Sequence, residues 1–228
     1  MKIKQYSKLL IGRFFSPIDK AIIINSYGRS GSTMLTESIV ESSVKKNKIM
    51  KHVLLKSIYQ TAWDIDIAKI KPGFVYKTHD YPPKNHLNTN VRVIYIFADP
   101  LDVILSLLRL YKEKGEAWMK EHYEHLKASY TDFNNIIYED QLCLEKHFDV
   151  WIQEDRLPVA FVRYEELWNH QKEVSEFLGI PIQLPSYKER NSKKFIDPKI
   201  VEKLKITYSS LREKVFNQES FFINNVSI

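Results

Sequence analysis

The chain has 228 residues, of which 44% are hydrophobic and 27% charged, a composition that suits a globular domain and excludes a disordered chain. A single cysteine, Cys143, excludes an internal disulfide framework and a cysteine-based zinc site. The formal net charge of +6 favours an anionic partner and leaves nucleic acid, membrane, nucleotide and polyanionic glycan open. We expect one domain over residues 1–228, with its core at about 21–181 and a basic segment plus C-terminal helix at 182–228.

The N-terminal segment 1–20 is basic, and its apolar stretch is only Leu9-Leu10-Ile11. This stretch is too short for the core of a signal peptide, and no apolar run in the chain approaches the roughly 18–20 residues of a membrane-spanning helix. We therefore expect a solvated leader that packs on the domain, in a cytoplasmic protein. Peripheral contact of this segment with a membrane surface is the alternative.

Apolar runs and helical periodicity alternate along the chain. Continuous apolar runs, typical of strands buried on both faces, occupy 21–25, 73–76, 93–98 and 159–162. Helical periodicity occupies 33–45, 100–112, 140–155, 165–178 and a last segment that runs from 197 to about 215. The alternation predicts a three-layer α/β/α fold with a central parallel sheet, whose ligand lies beyond the carboxyl ends of the strands.

The loop after the first strand reads Ser26-Tyr27-Gly28-Arg29-Ser30-Gly31-Ser32-Thr33. Its glycines allow tight turns that expose backbone N–H groups, the following helix adds a positive dipole, and Arg29 adds a permanent charge, so the loop predicts a phosphate site. A plain strand–turn–helix corner with a capping serine is the alternative. The loop lacks the lysine of a Walker A sequence, and no acidic residue follows the strands in an obvious Walker B position, which disfavours magnesium-dependent phosphoryl transfer.

Other strand ends carry further candidates. Lys77-Thr78-His79 follows the second run, and a histidine beside a lysine at this edge is a plausible general base. The other histidines are read as structural or surface residues. Ser106 lies about two helical turns past Asp99 and, taken alone, is typical of a helix-packing serine. Tyr164 follows the fourth run, where it could contact a ring or a phosphate or cover the core.

Four sequence patches, at 29–33, 77–79, 93–106 and 163–167, occur in the order seen in a known family. Together they resemble the sulfotransferases that use 3′-phosphoadenosine 5′-phosphosulfate (PAPS) as donor. The resemblance covers 22 to about 181 and implies a P-loop NTPase-like sulfotransferase architecture without a metal. It implies that Arg29 contacts the bridging and sulfuryl oxygens, that Lys77 balances charge there, and that His79 deprotonates the acceptor. Residues implied to bind the donor are Tyr27, Gly28, Arg29, Ser30, Gly31, Ser32, Thr33, Met34, Ser106, Tyr164, Arg190, Lys193 and Lys194.

The chain departs from the family pattern where an arginine usually precedes the Asp-Pro pair and binds the donor 3′-phosphate, because Ala98 stands there. Losing a charge-assisted contact costs roughly 1.5–3 kcal/mol. Another basic residue could substitute, donor binding could be weak, or activity could be lost; we favour substitution. The candidates for this substitution are Arg109, Lys188, Arg190, Lys193 and Lys194. Met34 replaces the tryptophan that many members place against the nucleotide, and its thioether could pack there instead.

The acceptor is expected to be a glycan or a small metabolite with a hydroxyl or amine. Segment 115–137 mixes aromatic and charged residues in a way that suits sugar stacking or phenol binding, or equally a peripheral helical pair. Those residues are Trp118, His122, Tyr123, His125, Tyr130 and Phe133. A P-loop small-molecule kinase and a catalytically degenerate nucleotide- or glycan-binding module are the rival functions. Nucleic acid is disfavoured because the basic residues fall at strand ends rather than along one stripe.

Overall fold

The computed structural model describes residues 16–44, 51–85, 87, 90–189 and 192–224. Within them, six strands form one sheet: β1 Ala21–Asn25, β2 Tyr59–Thr61, β3 Val75–Thr78, β4 Val91–Phe97, β5 Val159–Arg163 and β6 Phe221–Ile223. Eight α-helices accompany it: α1 Ser32–Val44, α2 Lys51–Ile58, α3 Pro100–Lys114, α4 Glu116–His125, α5 Leu144–Ile152, α6 Gln171–Leu178, α7 Pro198–Thr207 and α8 Ser209–Asn217. None of the helices described is long and apolar enough to cross a bilayer.

The sheet has the order β2-β3-β1-β4-β5-β6, and every pairing is parallel except that of β5 with β6. This confirms the parallel sheet expected from the four apolar runs. The second run is displaced: β3 spans Val75–Thr78, whereas 73–76 was expected. Gly73 has a φ of +91° and its N–H donates to the carbonyl of Lys20, so it belongs to the turn that leads into the strand.

Helices cover both faces of the sheet, as the three-layer prediction requires. Successive residues of a strand point to opposite faces, and β1 divides accordingly. Ile23 packs in a core with residues of α3, α5, α7 and α8, while Ile22 and Ile24 pack in a second core with residues of α1, α2 and α6. Strands buried on both faces explain why these runs are continuously apolar rather than alternating.

Two predicted helices are interrupted. The segment expected as a helix over 165–178 begins as a 3₁₀ turn, Tyr164–Glu166, and becomes α-helical only at α6. The last segment breaks at Tyr208, which separates α7 from α8. Tyr208 is buried and its hydroxyl donates to the carbonyl oxygen of Ile136, so a tertiary contact coincides with the break.

The helix α4 lies in segment 115–137, for which a helical pair was one of the two alternatives, whereas α2, β2 and the edge strand β6 were not expected. The two strands are three residues long, too short for a recognisable pattern. The N-terminal leader prediction falls on residues of which 1–15 lie outside the described part of the chain.

Candidate functional site

The register of the central strands brings the first two sequence patches together. Asn25 of β1 pairs with Thr78 of β3, so the next residues along each strand, Ser26 and His79, leave the sheet side by side. The Ser26 carbonyl oxygen lies 2.8 Å from His79 Nδ1, and Ser26 Oγ lies 3.2 Å from the same nitrogen. The loop 26–33, called here the phosphate-type loop, and the candidate base His79 therefore share one edge of the sheet.

The loop takes the left-handed backbone conformation three times, at Gly28 (φ +87°), Arg29 (φ +51°) and Gly31 (φ +85°). Each glycine also lies against a ring. A Cβ on Gly28 would lie 2.8 Å from His122 Cε1, and a Cβ on Gly31 would lie 2.3 Å from Tyr164 Cδ2. Both glycines are therefore required by space as well as by φ.

Hydroxyl groups of the loop hydrogen-bond to one another and to the loop backbone. Ser26 Oγ donates to Ser32 Oγ at 3.1 Å and accepts from the N–H of Gly28 at 3.2 Å. Ser30 Oγ donates to the carbonyl of Gly28 at 2.9 Å. These contacts hold the turn in shape, while Thr33, at the start of α1, is exposed.

Arg29 at the loop tip reaches across to α3. Its Nε donates to Ser106 Oγ at 3.1 Å, which joins the first and third sequence patches. Ser106 is buried on the helix that Asp99 caps through the Leu101 N–H. An arginine in the left-handed region is strained, and such strain clusters at functional sites.

A cavity of about 400 Å³ opens at this edge of the sheet. Its walls come from the loop and the start of α1, from β3 and the segments beside it, and from α4: Arg29, Gly31, Ser32, Thr33, Met34, Trp63, Lys77, His79, Trp118, Glu121, His122 and His125. The cavity thus collects all three predicted catalytic residues.

The hydrogen bonding of His79 determines its tautomer. A carbonyl oxygen can only accept, so Nδ1 donates to the Ser26 carbonyl and carries the ring proton. Nε2 then holds the lone pair, at the other side of a ring that lines the cavity. Burial, followed by the charge of Lys77, holds the pKa of His79 well below its usual value, so the imidazole is neutral at physiological pH.

The peptide after His79 is held by a buried polar network. The Asp80 carbonyl oxygen accepts from Asn25 Nδ2 at 2.7 Å, from Trp151 Nε1 at 2.9 Å and from His147 Nε2 at 3.1 Å. His147 accepts through Nδ1 from the hydroxyl of Tyr95 at 2.9 Å. Burial lowers the pKa of His147 to about 4, which keeps it in the neutral form that this network needs. Sequence analysis missed these supporting residues because their spacing carries no motif.

Cationic and aromatic side chains lie together in the cavity lining. Lys77 Nζ lies 5.5 Å from the ring centre of Trp63, and burial, followed by the nearby Arg29 charge, lowers the pKa of Lys77. Trp63 stacks on His125 with ring centres 3.8 Å apart, and Trp118 stacks on His122 at 5.4 Å. Cations that line a cavity attract anions.

The aromatic residues of segment 115–137 fall into two groups, one that lines the cavity and one that packs on the domain. Trp118, His122 and His125 line the cavity. The remaining aromatic residues of that segment pack in or against the core: Tyr123, Tyr130 and Phe133. Trp63 was not predicted, because it lies in an irregular turn with no pattern around it.

Ala98 is held through its backbone N–H and carbonyl groups, which hydrogen-bond to a side-chain hydroxyl. Tyr27, which is fully buried, accepts from the Ala98 N–H at 2.9 Å and donates to the Ala98 carbonyl. The next residue, Asp99, forms a two-pronged ion pair with Arg212 of α8, with distances of 2.8 and 2.9 Å. Arg212 was not a predicted candidate, since it lies over a hundred positions away in sequence.

The predicted substitutes for the missing arginine lie farther out on the surface. Arg109 pairs with Glu113 at 3.0 Å on an exposed face of α3. Lys188, Lys193 and Lys194 are exposed. The last two belong to a 3₁₀ turn, Ser192–Phe195, that contacts α3. The predicted candidate Arg190 lies outside the described residues.

A second cavity of about 440 Å³ adjoins the helix α1. Met34 lines both cavities, and the second is completed by α1 and the segment after α6: Glu37, Ser38, Glu41, Ser42, Gln183, Leu184 and Pro185. Tyr164, over Gly31, also packs edge-on against Trp168 at 5.4 Å between ring centres. The predicted nucleotide-side residues Met34 and Tyr164 thus flank the loop.

Comparison with known proteins agrees with this fold. The chain shows a structural likeness to retinol dehydratase, solved in a complex with retinol and PAP, with a TM-score of 0.52 and 15% sequence identity over 84% of this chain and 81% of that one. The search of curated protein sequences gives no match. The profile of the sulfotransferase domain matches residues 19–224. The chain therefore belongs to the sulfotransferase domain family.

Proposed function

We propose that this protein transfers a sulfuryl group from PAPS to a hydroxyl or amine of its acceptor, with His79 as general base. The observation that carries the proposal is the contact between His79 Nδ1 and the Ser26 carbonyl. It leaves the Nε2 lone pair for a proton in the cavity, and it ties the base to the loop that would hold the donor. A neutral, oriented imidazole is what general-base catalysis needs.

The donor's phosphosulfate end would lie over the loop. The N–H groups around Gly28 and Gly31, the start of α1 and the charges of Arg29 and Lys77 converge there. Positioned donors and cations stabilise charge on the transferring group and the leaving oxygen. Burial, followed by the nearby Arg29 charge, lowers the pKa of Lys77, and binding an anion would offset the mutual repulsion of these two cations.

The nucleotide end would extend past Met34 into the second cavity, with Tyr164 beside it. Ser106, already bonded to Arg29, would meet the 3′-phosphate. For the charge that Ala98 lacks, we add Arg212 to the sequence candidates, because its ion pair with Asp99 holds it beside that position. Lys193 and Lys194, on the turn that contacts α3, remain candidates.

We propose a glycan or small hydroxylated metabolite as acceptor, bound in the cavity at the side opposite the loop. The rings of Trp63 and Trp118 in the cavity lining can contact a sugar or phenol ring, and Glu121 can accept from a second hydroxyl. A cytoplasmic location remains a prediction.

The test is a pair of histidine variants from one cavity, H79A and H125A. H79A should lower sulfate transfer from PAPS to a panel of sugars and phenols by about 10²–10⁴-fold. Its affinity for adenosine 3′,5′-bisphosphate should stay within about twofold of wild type by calorimetry, because the donor lies on the loop. H125A, which removes a cavity histidine outside the proposed proton path, should retain most of kcat.

Unchanged turnover in H79A would refute the assignment of the base. Thermal shift separates the rival functions: adenosine 3′,5′-bisphosphate alone should stabilise the protein. Stabilisation by ATP with magnesium instead would favour a kinase, and donor binding without any transfer would favour a degenerate binding module.

A further inference from the structure

His122 of α4 reaches over the phosphate-type loop at Gly28. Its ring packs on Gly28, where an added Cβ would be 2.8 Å from Cε1 and 3.0 Å from Nε2. The ring centre lies 6.1 Å from that of His79 in an edge-on arrangement. Stacking on Trp118 at an interplanar angle of 9° keeps the imidazole plane in place. His122 is therefore positioned at the loop.

The Nε2 atom of His122 lacks a hydrogen-bond partner within the part of the chain that the structure describes. The residue is only 6% exposed, and a buried polar atom left unpaired is unfavourable and rare. This nitrogen lies at the glycine that begins the tight turn, on the wall of the cavity that also holds Arg29 and Lys77. An oxygen of a bound ligand would satisfy it.

The charged groups around His122 indicate that the ligand oxygen belongs to an anion. Burial, then the charge of Arg29, lowers the pKa of His122 to about 3, with smaller contributions from His125 and Lys77. The neutral ring can place its one proton on either nitrogen. Because the neighbouring loop and cations attract an anion, the favoured tautomer toward such a ligand has the proton on Nε2.

We infer that His122 is a further catalytic residue, whose Nε2–H donates a hydrogen bond to a non-bridging oxygen of the sulfuryl group during transfer. The inference rests on the proposed function. In that reaction, a bond forms between the acceptor oxygen and sulfur while the bond from sulfur to the bridging oxygen of the donor breaks. Adenosine 3′,5′-bisphosphate leaves, and the acceptor proton goes to His79. His122 exchanges no proton and stabilises charge on the sulfuryl oxygens.

The test compares H122F, H122Q and the control H52F, which changes an exposed histidine of α2 outside the cavity lining. Phenylalanine keeps a ring over Gly28 and against Trp118 but removes the donor, whereas glutamine can restore an N–H. Removing one preorganised donor of this type lowers kcat by about 10²–10³-fold. We expect that loss in H122F with KM for PAPS changed less than about threefold, at least tenfold recovery in H122Q, and near wild-type kcat in H52F.

A second measurement does not depend on turnover. The imidazole ¹⁵N signals of wild type, assigned by their loss in H122Q, should show Nε2 protonated and shifted when adenosine 3′,5′-bisphosphate and inorganic sulfate are both added. Wild-type kcat in H122F, or an Nε2 signal that ignores these ligands, would overturn the role of His122. Absence of sulfate transfer by wild type itself would instead refute the proposed function, so the two failures are distinguishable.

Discussion

The approach of Tyr164 to Gly31 makes the substitution G31A a sensitive test of the site geometry. An alanine Cβ would lie 2.3 and 2.4 Å from two carbons of the Tyr164 ring, more than 1 Å inside normal contact. The ring would have to leave the loop, and overpacking of this kind costs about 1–3 kcal/mol. The positive φ of +85° adds about 1 kcal/mol for a residue with a Cβ.

We therefore expect G31A to lower the free energy of unfolding by about 3 kcal/mol. Gly179 provides the matched control: its φ is +66°, and the nearest atom to an added Cβ is Lys20 Nζ at 3.5 Å, an ordinary contact. G179A should lose only the backbone contribution of about 1 kcal/mol. Urea denaturation of both variants measures the difference directly.

A double-mutant cycle isolates the ring contact. In a Y164A background, G31A should cost only about 1 kcal/mol, so the coupling between the two positions should be about 2 kcal/mol. Binding of adenosine 3′,5′-bisphosphate should weaken in G31A, because the displaced ring lies beside the loop. Equal losses in G31A and G179A would refute the tight approach of Tyr164 to the loop.

Two further predictions concern stability. His122 and His147 are buried, with pKa values lowered to about 3 and about 4. Between those values and about 6.5 the unfolded chain binds more protons than the folded one, so the free energy of unfolding falls as the pH drops through that window. Urea midpoints measured from pH 7 to pH 4 should show this fall, and the fall should be smaller in H147Q than in wild type. Y27F should lower the free energy of unfolding by about 2–3 kcal/mol in urea denaturation, because it leaves the buried N–H and carbonyl of Ala98 without their partner. The control Y111F, in which the ring is only partly buried, should lower it by less.

The patterns that predicted the fold correctly are those with a strong local physical cause. The Ile-rich run of β1 is buried on both faces, and Asp99 followed by Pro100 starts α3 where expected, with the Asp99 carboxylate capping Leu101. The phosphate-type loop was predictable because left-handed turns require glycine. The Lys77-Thr78-His79 segment was predictable because parallel strands end at one edge.

The remaining parts of the site depend on contacts between distant residues. His122 and Trp63 reach the cavity only because α4 and the segment beside β3 fold over the loop, and periodicity carries no information on that packing. Arg212 meets Asp99 across 113 positions. The break at Tyr208 follows no helix-stop residue, so 197–215 was predicted as continuous.

The manner in which His79 is anchored bears on how such a protein could diversify. Asn25, His147 and Trp151 hold the peptide that follows His79, the proposed base, through the carbonyl of Asp80. Trp118 and Glu121, which line the cavity, belong to α4, which contributes none of these contacts. Under the proposed function, substitutions at Glu121 would alter the acceptor side of the cavity without touching the residues that hold His79, so a change of acceptor preference need not remove the chemistry.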